Sequence, residues 1–254
     1  MSDARSQADP PSKFARLRNL QSHDFWARLF ARPLAILLTY PVADVAWVTP
    51  NLLTSVSNLF MAGGIACLWL DQWIWAAVLL NLHLVFDNMD GTLARYRKCG
   101  TRFGFYYDKV SDYLGISAMF LSLGWLAFRQ DPGSPHLVVV AAVLVIAETI
   151  GGYSKWVCEC QRLQAHGNAP VPGAADKHKV PQRSAGQWVI WFFDSLWRIF
   201  LFEEVDYFFW VGIALVVGRL DWMLYLLAGT RVAGLLGTLV FRGVQMRKLD
   251  RKPV

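Results

Sequence analysis

The stretch DNMDGTLARYRKCGTRFGFYYDKVSD occupies residues 87–112 and lies between long apolar segments of the chain. It contains two pairs of aspartates, Asp87 with Asp90 and Asp108 with Asp112, spaced three and four residues apart. Side chains at these spacings share one face of a helix. Two adjacent antiparallel helices would therefore bring all four carboxylates to one place.

The composition around this motif is that of a membrane protein. Of the 254 residues, 55% are hydrophobic and 17% are charged, whereas soluble domains contain roughly 25% charged residues. The apolar residues come in blocks that approach the roughly 20 residues needed to cross a bilayer. We therefore predict an all-α integral membrane protein with six transmembrane helices, over residues 51–70, 73–94, 103–128, 136–158, 205–218 and 222–241.

The segments before these spans have a different character. Residues 1–13 are polar and lack the apolar core of a signal peptide, which predicts a disordered tail. Residues 14–40 mix Arg with Phe, Trp and Leu at helical spacing. This mixture is typical of an amphipathic helix lying in the membrane interface, with an ordinary solvated helix as the alternative.

The remaining boundaries follow from composition. The six-helix membrane domain is predicted over residues 49–245, followed by a basic C-terminal tail over residues 246–254. Residues 187–202 are apolar but contain Asp194 and Arg198. They are either an interfacial helix or the start of the fifth span.

The distribution of positive charge predicts the orientation in the membrane. Twenty Lys and Arg residues lie in the termini and in the connections on one side of the predicted spans, whereas the opposite connections contain only Arg129 and Arg219. Cytoplasmic segments carry such an excess of Lys and Arg. Both termini and the aspartate motif are therefore predicted to face the cytoplasm. This asymmetry explains the net charge of +6, and no nucleic-acid-binding motif is present.

The negative charge of four carboxylates in a membrane protein must be hydrated or neutralised. A charge at the bilayer centre costs roughly 2.5–3.5 kcal/mol on insertion scales, so four unpaired aspartates would prevent insertion. They must lie near the interface, line a wet cavity or bind cations. Carboxylate oxygens suit hard divalent ions, and four carboxylates can hold the two ions that commonly serve phosphoryl chemistry. Lys109 lies between Asp108 and Asp112 and is predicted to pair with one of them.

Small and basic residues accompany the aspartates. Gly91, Ala94 and Gly104 would let a ligand or a neighbouring helix approach closely, and both roles are compatible. Arg95 beside the carboxylates is either a salt-bridge partner or a phosphate clamp.

Together these residues follow the pattern D-x₂-D-G-x₂-A-R-x₈-G-x₃-D-x₃-D over residues 87–112. The pattern resembles the signature of the CDP-alcohol phosphotransferase family, with all eight defining positions present. TPNLLT at residues 49–54 resembles the start of the family's first span. The resemblance implies a six-helix membrane enzyme that moves a substituted phosphate from a CDP-linked alcohol to an alcohol acceptor and releases CMP. The lipid is on the donor, as in CDP-diacylglycerol, or on the acceptor.

The resemblance also implies roles for individual residues. Asp87, Asp90 and Asp108 would be the main ligands of two Mg²⁺ or Mn²⁺ ions, and Asp112 would complete the site and act as the general base. The residues implied to contact the CDP moiety are Gly91, Ala94, Arg95 and Gly104, with Asn51 and Thr54 lining the nucleotide pocket.

The acceptor site is less explicit. GGYSKW at residues 151–156 loosely resembles a segment of members that use inositol phosphate. Basic side chains there would bind an anionic acceptor such as inositol phosphate or glycerol 3-phosphate, although positive-inside charge explains them equally well. The acceptor candidates are Ser154, Lys155, Arg183 and Arg198. Within the predicted spans, Glu148 and Arg231 each require a partner or a wet cavity.

Two other functions, a cation carrier and a non-catalytic scaffold, fit these features less well than an enzyme. A cation carrier would spread its ionisable residues around a midplane site, often with inverted repeats, but the aspartates are clustered and no repeat is visible. A degenerate, non-catalytic scaffold would have lost motif positions, and none is missing. Homodimers are common in such families, and the sequence neither indicates nor excludes one. The expected surroundings are the lipid bilayer, of the cytoplasmic membrane or an internal one.

Overall fold

The computed structural model describes residues 12–18, 24–166, 184–198 and 204–250. Most of the predicted tail and the acceptor candidate Arg183 lie outside these ranges. Every regular element in the described part is helical. Its nine α-helices are α1 Lys13–Leu17, α2 Arg32–Val42, α3 Pro50–Trp69, α4 Trp73–Arg97, α5 Arg102–Gln130, α6 His136–His166, α7 Ala185–Trp197, α8 Tyr207–Val217 and α9 Leu220–Asp250.

Four of these helices, α3, α5, α6 and α9, are long and apolar enough to cross a membrane. The helix α4 has 25 residues, which at about 1.5 Å per residue is also sufficient length, but its aspartates and its basic last turn make it less apolar. The helix α8 has only 11 residues. The all-helical membrane architecture is thus confirmed with four candidate spans, and the six-span count stays a prediction.

The helix boundaries at the aspartate motif follow from capping residues. The Thr49 side chain accepts a hydrogen bond from Leu52 N at 3.2 Å, and Pro50 opens α3. Thr101 caps α5 in the same way through Gly104 N at 2.9 Å. Lys98 ends α4 in the left-handed conformation, with φ of 54°. The short connection from Lys98 to Thr101 therefore reverses the chain, so that the two aspartate pairs face each other.

The segment expected to form one interfacial helix over residues 14–40 is divided in the structure. The short α1 ends at Leu17, and a π-helix over Ala27–Ala31 leads into α2, which has Pro33 in its first turn. Trp26 anchors this region, because its indole nitrogen donates to Asn81 Oδ1 at 2.7 Å. The interfacial position of this segment stays a prediction.

Residues 187–198 of the apolar stretch 187–202 lie within the described ranges. Its helix, α7, ends at Trp197 and is separate from α8, which begins at Tyr207. An ion pair holds α7 against the N-terminal region, with Arg28 Nη1 at 3.0 Å from Asp194 Oδ2. Large apolar side chains of α7 remain exposed, including Ile190 at 70% and Phe193 at 64%.

The core lies where α4 packs against α3, α2 and α8, and where α6 packs against α5 and α9. It is formed by fully buried residues such as Leu80, Phe120 and Leu144. One buried polar cluster interrupts it. Glu148 of α6 pairs with Arg231 of α9, whose Nη2 lies 2.7 Å from Glu148 Oε2, and it also accepts a hydrogen bond from the Tyr207 hydroxyl. The two ionisable residues that the sequence left without partners therefore neutralise each other.

Candidate functional site

Three of the four aspartates meet at one point between α4 and α5. Asp87, Asp90 and Asp108 each offer a carboxylate oxygen, and these oxygens all lie within 4.8 Å of one another. Asp90 is buried, and the other two are half-buried. Asp112 lies one turn further along α5 and is not a member of this three-carboxylate cluster.

Few protein groups donate hydrogen bonds to the three clustered carboxylates. The Thr54 hydroxyl of α3 donates to Asp90 Oδ2. Within the described ranges, no donor lies within hydrogen-bond distance of the Asp87 carboxylate. A half-buried carboxylate in this position requires a cation or a proton.

A lysine fills the space between the last two aspartates. Lys109 Nζ lies 2.9 Å from Asp108 Oδ2 and 2.9 Å from Asp112 Oδ2. The sequence predicted a pair with one aspartate, and the structure shows that the ammonium contacts both. Both carboxylate side chains are 21% exposed and the lysine side chain is 43% exposed.

The carboxylates open into a cavity of about 810 Å³. It lies between the first turns of α3, the last turns of α4 and the start of α5. All six sequence-derived nucleotide candidates line it, together with the three clustered aspartates and Lys109. The sequence predicted no binding role for the further lining residues, which are Thr49, Pro50, Asn88, Cys99, Gly100, Thr101 and Phe105.

Two glycines give this cavity its shape. A Cβ atom on Gly104 would lie 2.7 Å from Asn51 Oδ1, so a side chain there would displace the Asn51 side chain of α3. A Cβ atom on Gly91 would lie 2.9 Å from Arg95 Nη1. Arg95 therefore lies across Gly91 at the cavity wall, where its guanidinium is available to an anionic ligand.

One residue behind the cavity was missed in the sequence. The Arg97 guanidinium donates to four backbone carbonyls of the α2–α3 connection: Val42 at 3.2 Å, Ala43 at 2.7 Å, Val45 at 2.8 Å and Val48 at 2.7 Å. This connection leads directly into Thr49 and Asn51. Arg97 thereby fixes the start of α3 relative to the end of α4. No local pattern marks such contacts, because the acceptors are backbone atoms about 50 residues away.

Ser154, Lys155 and Arg198, the acceptor candidates within the described ranges, do not line the cavity. Ser154 donates to Gly151 O at 3.0 Å and is contacted by Arg242 of α9, which also donates to Gly151 O at 2.7 Å. Lys155 is exposed on the same helix. Arg198 instead pairs with Asp194 at 3.1 Å, in the network that holds α7. Arg242 is a second residue that the sequence did not single out.

The three-carboxylate cluster fits a divalent ion in its chemistry. Its donors are all oxygens, as Mg²⁺, Mn²⁺ and Ca²⁺ prefer. Ligand oxygens of Mg²⁺ lie about 2.0–2.1 Å from the ion, so the three carboxylates, whose oxygens lie within 4.8 Å of one another, would have to move closer together to hold one ion. The carboxylate of Asp87, which has no donor in the described part of the chain, would gain its partner in this way.

Comparison with known families identifies the chain. The model of the CDP-alcohol phosphatidyltransferase family matches residues 47–182, which is more than half of the chain and includes the whole aspartate motif. The protein belongs to the CDP-alcohol phosphatidyltransferase family.

Two curated proteins that are similar to the chain have the same name. The chain is 33% identical over 144 residues to a phosphatidylinositol phosphate synthase of Mycolicibacterium smegmatis, covering 55% of this chain and 64% of that protein. It is 35% identical over 132 residues to a protein of the same name from Corynebacterium glutamicum, covering 50% of this chain and 60% of the relative. The matched region thus spans less than two thirds of each relative.

Solved structures share the fold. A crystal structure of Mycobacterium tuberculosis phosphatidylinositol phosphate synthase with CDP-DAG bound superposes with a TM-score of 0.55 at 21% identity, covering 81% of this chain and 94% of that one. A structure of the same enzyme with manganese and citrate gives a TM-score of 0.56 at 19% identity, covering 80% and 87%.

Proposed function

We propose that the protein is a membrane enzyme that transfers the phosphatidyl group of CDP-diacylglycerol to an alcohol acceptor and releases CMP. The observation that carries this proposal is the three-carboxylate cluster at the edge of a cavity lined by the family's motif residues. The enzyme's relatives named phosphatidylinositol phosphate synthases support inositol phosphate as the acceptor.

Each motif residue has a role in this proposal. Asp87, Asp90 and Asp108 hold a first Mg²⁺ or Mn²⁺ ion, and Asp108 with Asp112 contributes to a second. The ions, when bound, neutralise the diphosphate and stabilise the leaving oxygen of CMP. The cytidine and its phosphates occupy the 810 Å³ cavity, in contact with Gly91, Ala94, Arg95, Gly104, Asn51 and Thr54.

Asp112 is the proposed general base. The acceptor hydroxyl gives its proton to the Asp112 carboxylate while the hydroxyl oxygen bonds to the phosphorus nearer the lipid. The bond between that phosphorus and the CMP oxygen breaks, and CMP leaves with the electron pair. Asp112 suits this role because it lies one turn beyond Asp108 on α5 and is not part of the three-carboxylate cluster.

The acceptor phosphate is proposed to bind near the cytoplasmic end of α6. Ser154, Lys155 and Arg242 lie there on adjoining turns of α6 and α9, and two of them are cations suited to a phosphate. Arg183 is retained as a candidate. Arg198 is a weaker one, since it is engaged by Asp194.

The proposal includes a place in the membrane. Residues 49–245 form the membrane domain, with α4 and α8 completing six spans and with the site and both termini on the cytoplasmic side. The segment 14–40 and α7 lie in the interface; the exposed Ile190 and Phe193 of α7 support this position.

The reaction is tested with the full chain purified in detergent with Mn²⁺ and CDP-diacylglycerol. We expect CMP to be released with inositol phosphate, and not with inositol, serine or no acceptor. If CMP is released with glycerol 3-phosphate and not with inositol phosphate, glycerol 3-phosphate replaces inositol phosphate as the proposed acceptor. Release of CMP without any acceptor would contradict the proposed transfer reaction. Asp112→Asn should abolish turnover and leave the Kd of CMP within threefold. Asp71→Asn, at the far end of α3 where it pairs with Arg129, is the matched control and should retain turnover.

A further inference from the structure

The position of Lys109 bears on how many ions the site holds. Its ammonium lies at 2.9 Å from one oxygen of each of two aspartates, Asp108 and Asp112. These are the two carboxylates to which the proposed function assigns the second ion. Of the three ligands proposed for the first ion, Asp87 and Asp90 have no contact with Lys109 at hydrogen-bond distance, whereas Asp108 is shared between the ion and the ammonium.

We infer that the Lys109 ammonium stands in the position of the second divalent ion and opposes its binding. This inference rests on the proposed function and concerns the ion stoichiometry of the same site. A second ion held by Asp108 and Asp112 would compete with Lys109 for these carboxylates, because the ammonium already contacts one oxygen of each. Because both are cations, they cannot share this narrow space without strong repulsion.

The separation of Asp112 from the three-carboxylate cluster agrees with this arrangement. The Asp112 Oδ2 atom is engaged by Lys109, and Asp112 is not among the carboxylates within 4.8 Å of one another. An ordinary surface ion pair contributes little and exchanges freely. Here one ammonium contacts two carboxylates that are each only 21% exposed, which holds Lys109 in place more firmly than a single exposed partner would.

The test counts bound Mn²⁺ on the full-length protein with CMP present, using the electron paramagnetic resonance signal of free Mn²⁺. We expect Lys109→Met to lower the Kd of the second ion at least tenfold relative to the wild type, with the Kd of the first ion unchanged within threefold. Lys109→Gln should behave in the same way, which keeps the test valid if the methionine variant does not fold. Lys109→Arg preserves the charge and should remain within threefold of the wild type.

Lys98→Met is the matched control, because Lys98 lies in the nearby α4–α5 connection and pairs with no aspartate of the described ranges, so the variant removes one positive charge without breaking an ion pair. Both ion affinities should stay within threefold in this variant. Equal second-ion affinity in the wild type and in the two neutral Lys109 variants would overturn the inference, and so would an equal gain in Lys98→Met. Failure of the proposed function looks different: the wild type would release no CMP whatever the ion count. Absence of any bound ion would overturn the inference and the metal part of the proposed function together.

Discussion

The guanidinium of Arg97 lies 2.7 Å from the carbonyl oxygen of Val48, and this contact joins the last turn of α4 to the start of α3. Three further carbonyls of the same connection accept hydrogen bonds from Arg97. The connection leads into Thr49 and Asn51, which line the cavity. Arg97 thus positions the α3 side of the cavity without lining it.

Replacing this arginine should weaken the donor site. In Arg97→Ala, four carbonyls lose their donor, and at about 0.5–1.5 kcal/mol per hydrogen bond the free energy of unfolding should fall by roughly 2–6 kcal/mol. The KM for CDP-diacylglycerol should rise more than fivefold, because α3 is displaced, with kcat changed less. Steady-state kinetics in detergent measure KM and kcat, and thermal unfolding in detergent measures the loss of stability. Tyr96→Phe, which removes one exposed hydrogen bond to Asp44, is the control. A KM unchanged in Arg97→Ala would show that the connection is held by other contacts.

The close approach at Gly104 predicts a sharp steric effect. The Cβ atom of Gly104→Ala would meet Asn51 Oδ1 at 2.7 Å and Thr101 Oγ1 at 3.0 Å, so the Asn51 side chain must leave its position at the cavity wall. We expect the Kd of CMP, measured by isothermal titration calorimetry, to rise at least tenfold. Gly243→Ala, where a Cβ atom meets nothing within 4 Å, should leave CMP binding unchanged. Equal affinity in Gly104→Ala would mean that the nucleotide does not depend on the α3–α5 contact.

The buried pair of Glu148 and Arg231 should be strongly coupled. Arg231→Met leaves a buried carboxylate without its cation, a change that typically costs about 3–5 kcal/mol. The double variant Glu148→Gln/Arg231→Met removes both charges and should recover part of this loss. Thermal unfolding midpoints of the wild type, the two single variants and the double variant form a double-mutant cycle that measures the coupling of the two residues. For comparison, Arg129→Met breaks an exposed pair with Asp71 and should cost about 0–1 kcal/mol. Additive effects of the single variants would contradict the coupling.

The contact of α1 with the α2–α3 connection should depend on pH. Hydrogen bonds from Lys13 and Tyr96 lower the pKa of the Asp44 carboxyl below its ordinary value. A lowered folded-state pKa means that the stabilisation is present above the unfolded-state value of about 3.9 and is lost as the pH falls through the folded-state pKa.

Hydrogen–deuterium exchange measures this loss. Protection of the α1 amides, corrected for the intrinsic exchange rate, should decline below about pH 4 in the wild type. In Asp44→Asn the protection should be low and independent of pH over the same range. Protection that persists at pH 3 in the wild type would show that Asp44 does not hold α1.

Much of the site was predictable because it is built from local periodicity. The spacings of Asp87 with Asp90 and of Asp108 with Asp112 place each pair on one helix face. The turn between α4 and α5 is short, which keeps the end of one pair close to the start of the other. The three carboxylates then meet because α4 and α5 each pack against α3, an arrangement that the sequence did not predict. The helical membrane class likewise follows from apolar blocks of sufficient length.

The tertiary structure decided the contacts that link distant segments. The sequence offered no sign that Arg97 would hold four carbonyls near residue 45, or that Glu148 and Arg231 would be partners 83 residues apart. The division of residues 14–40 into separate elements was also not predicted. The sequence also predicted that Lys109 would pair with one aspartate, whereas in the structure it contacts both Asp108 and Asp112. Periodicity determines which side chains share a helix face, but the depth and rotation of one helix against another depend on packing along its whole length, and these decide which charges meet.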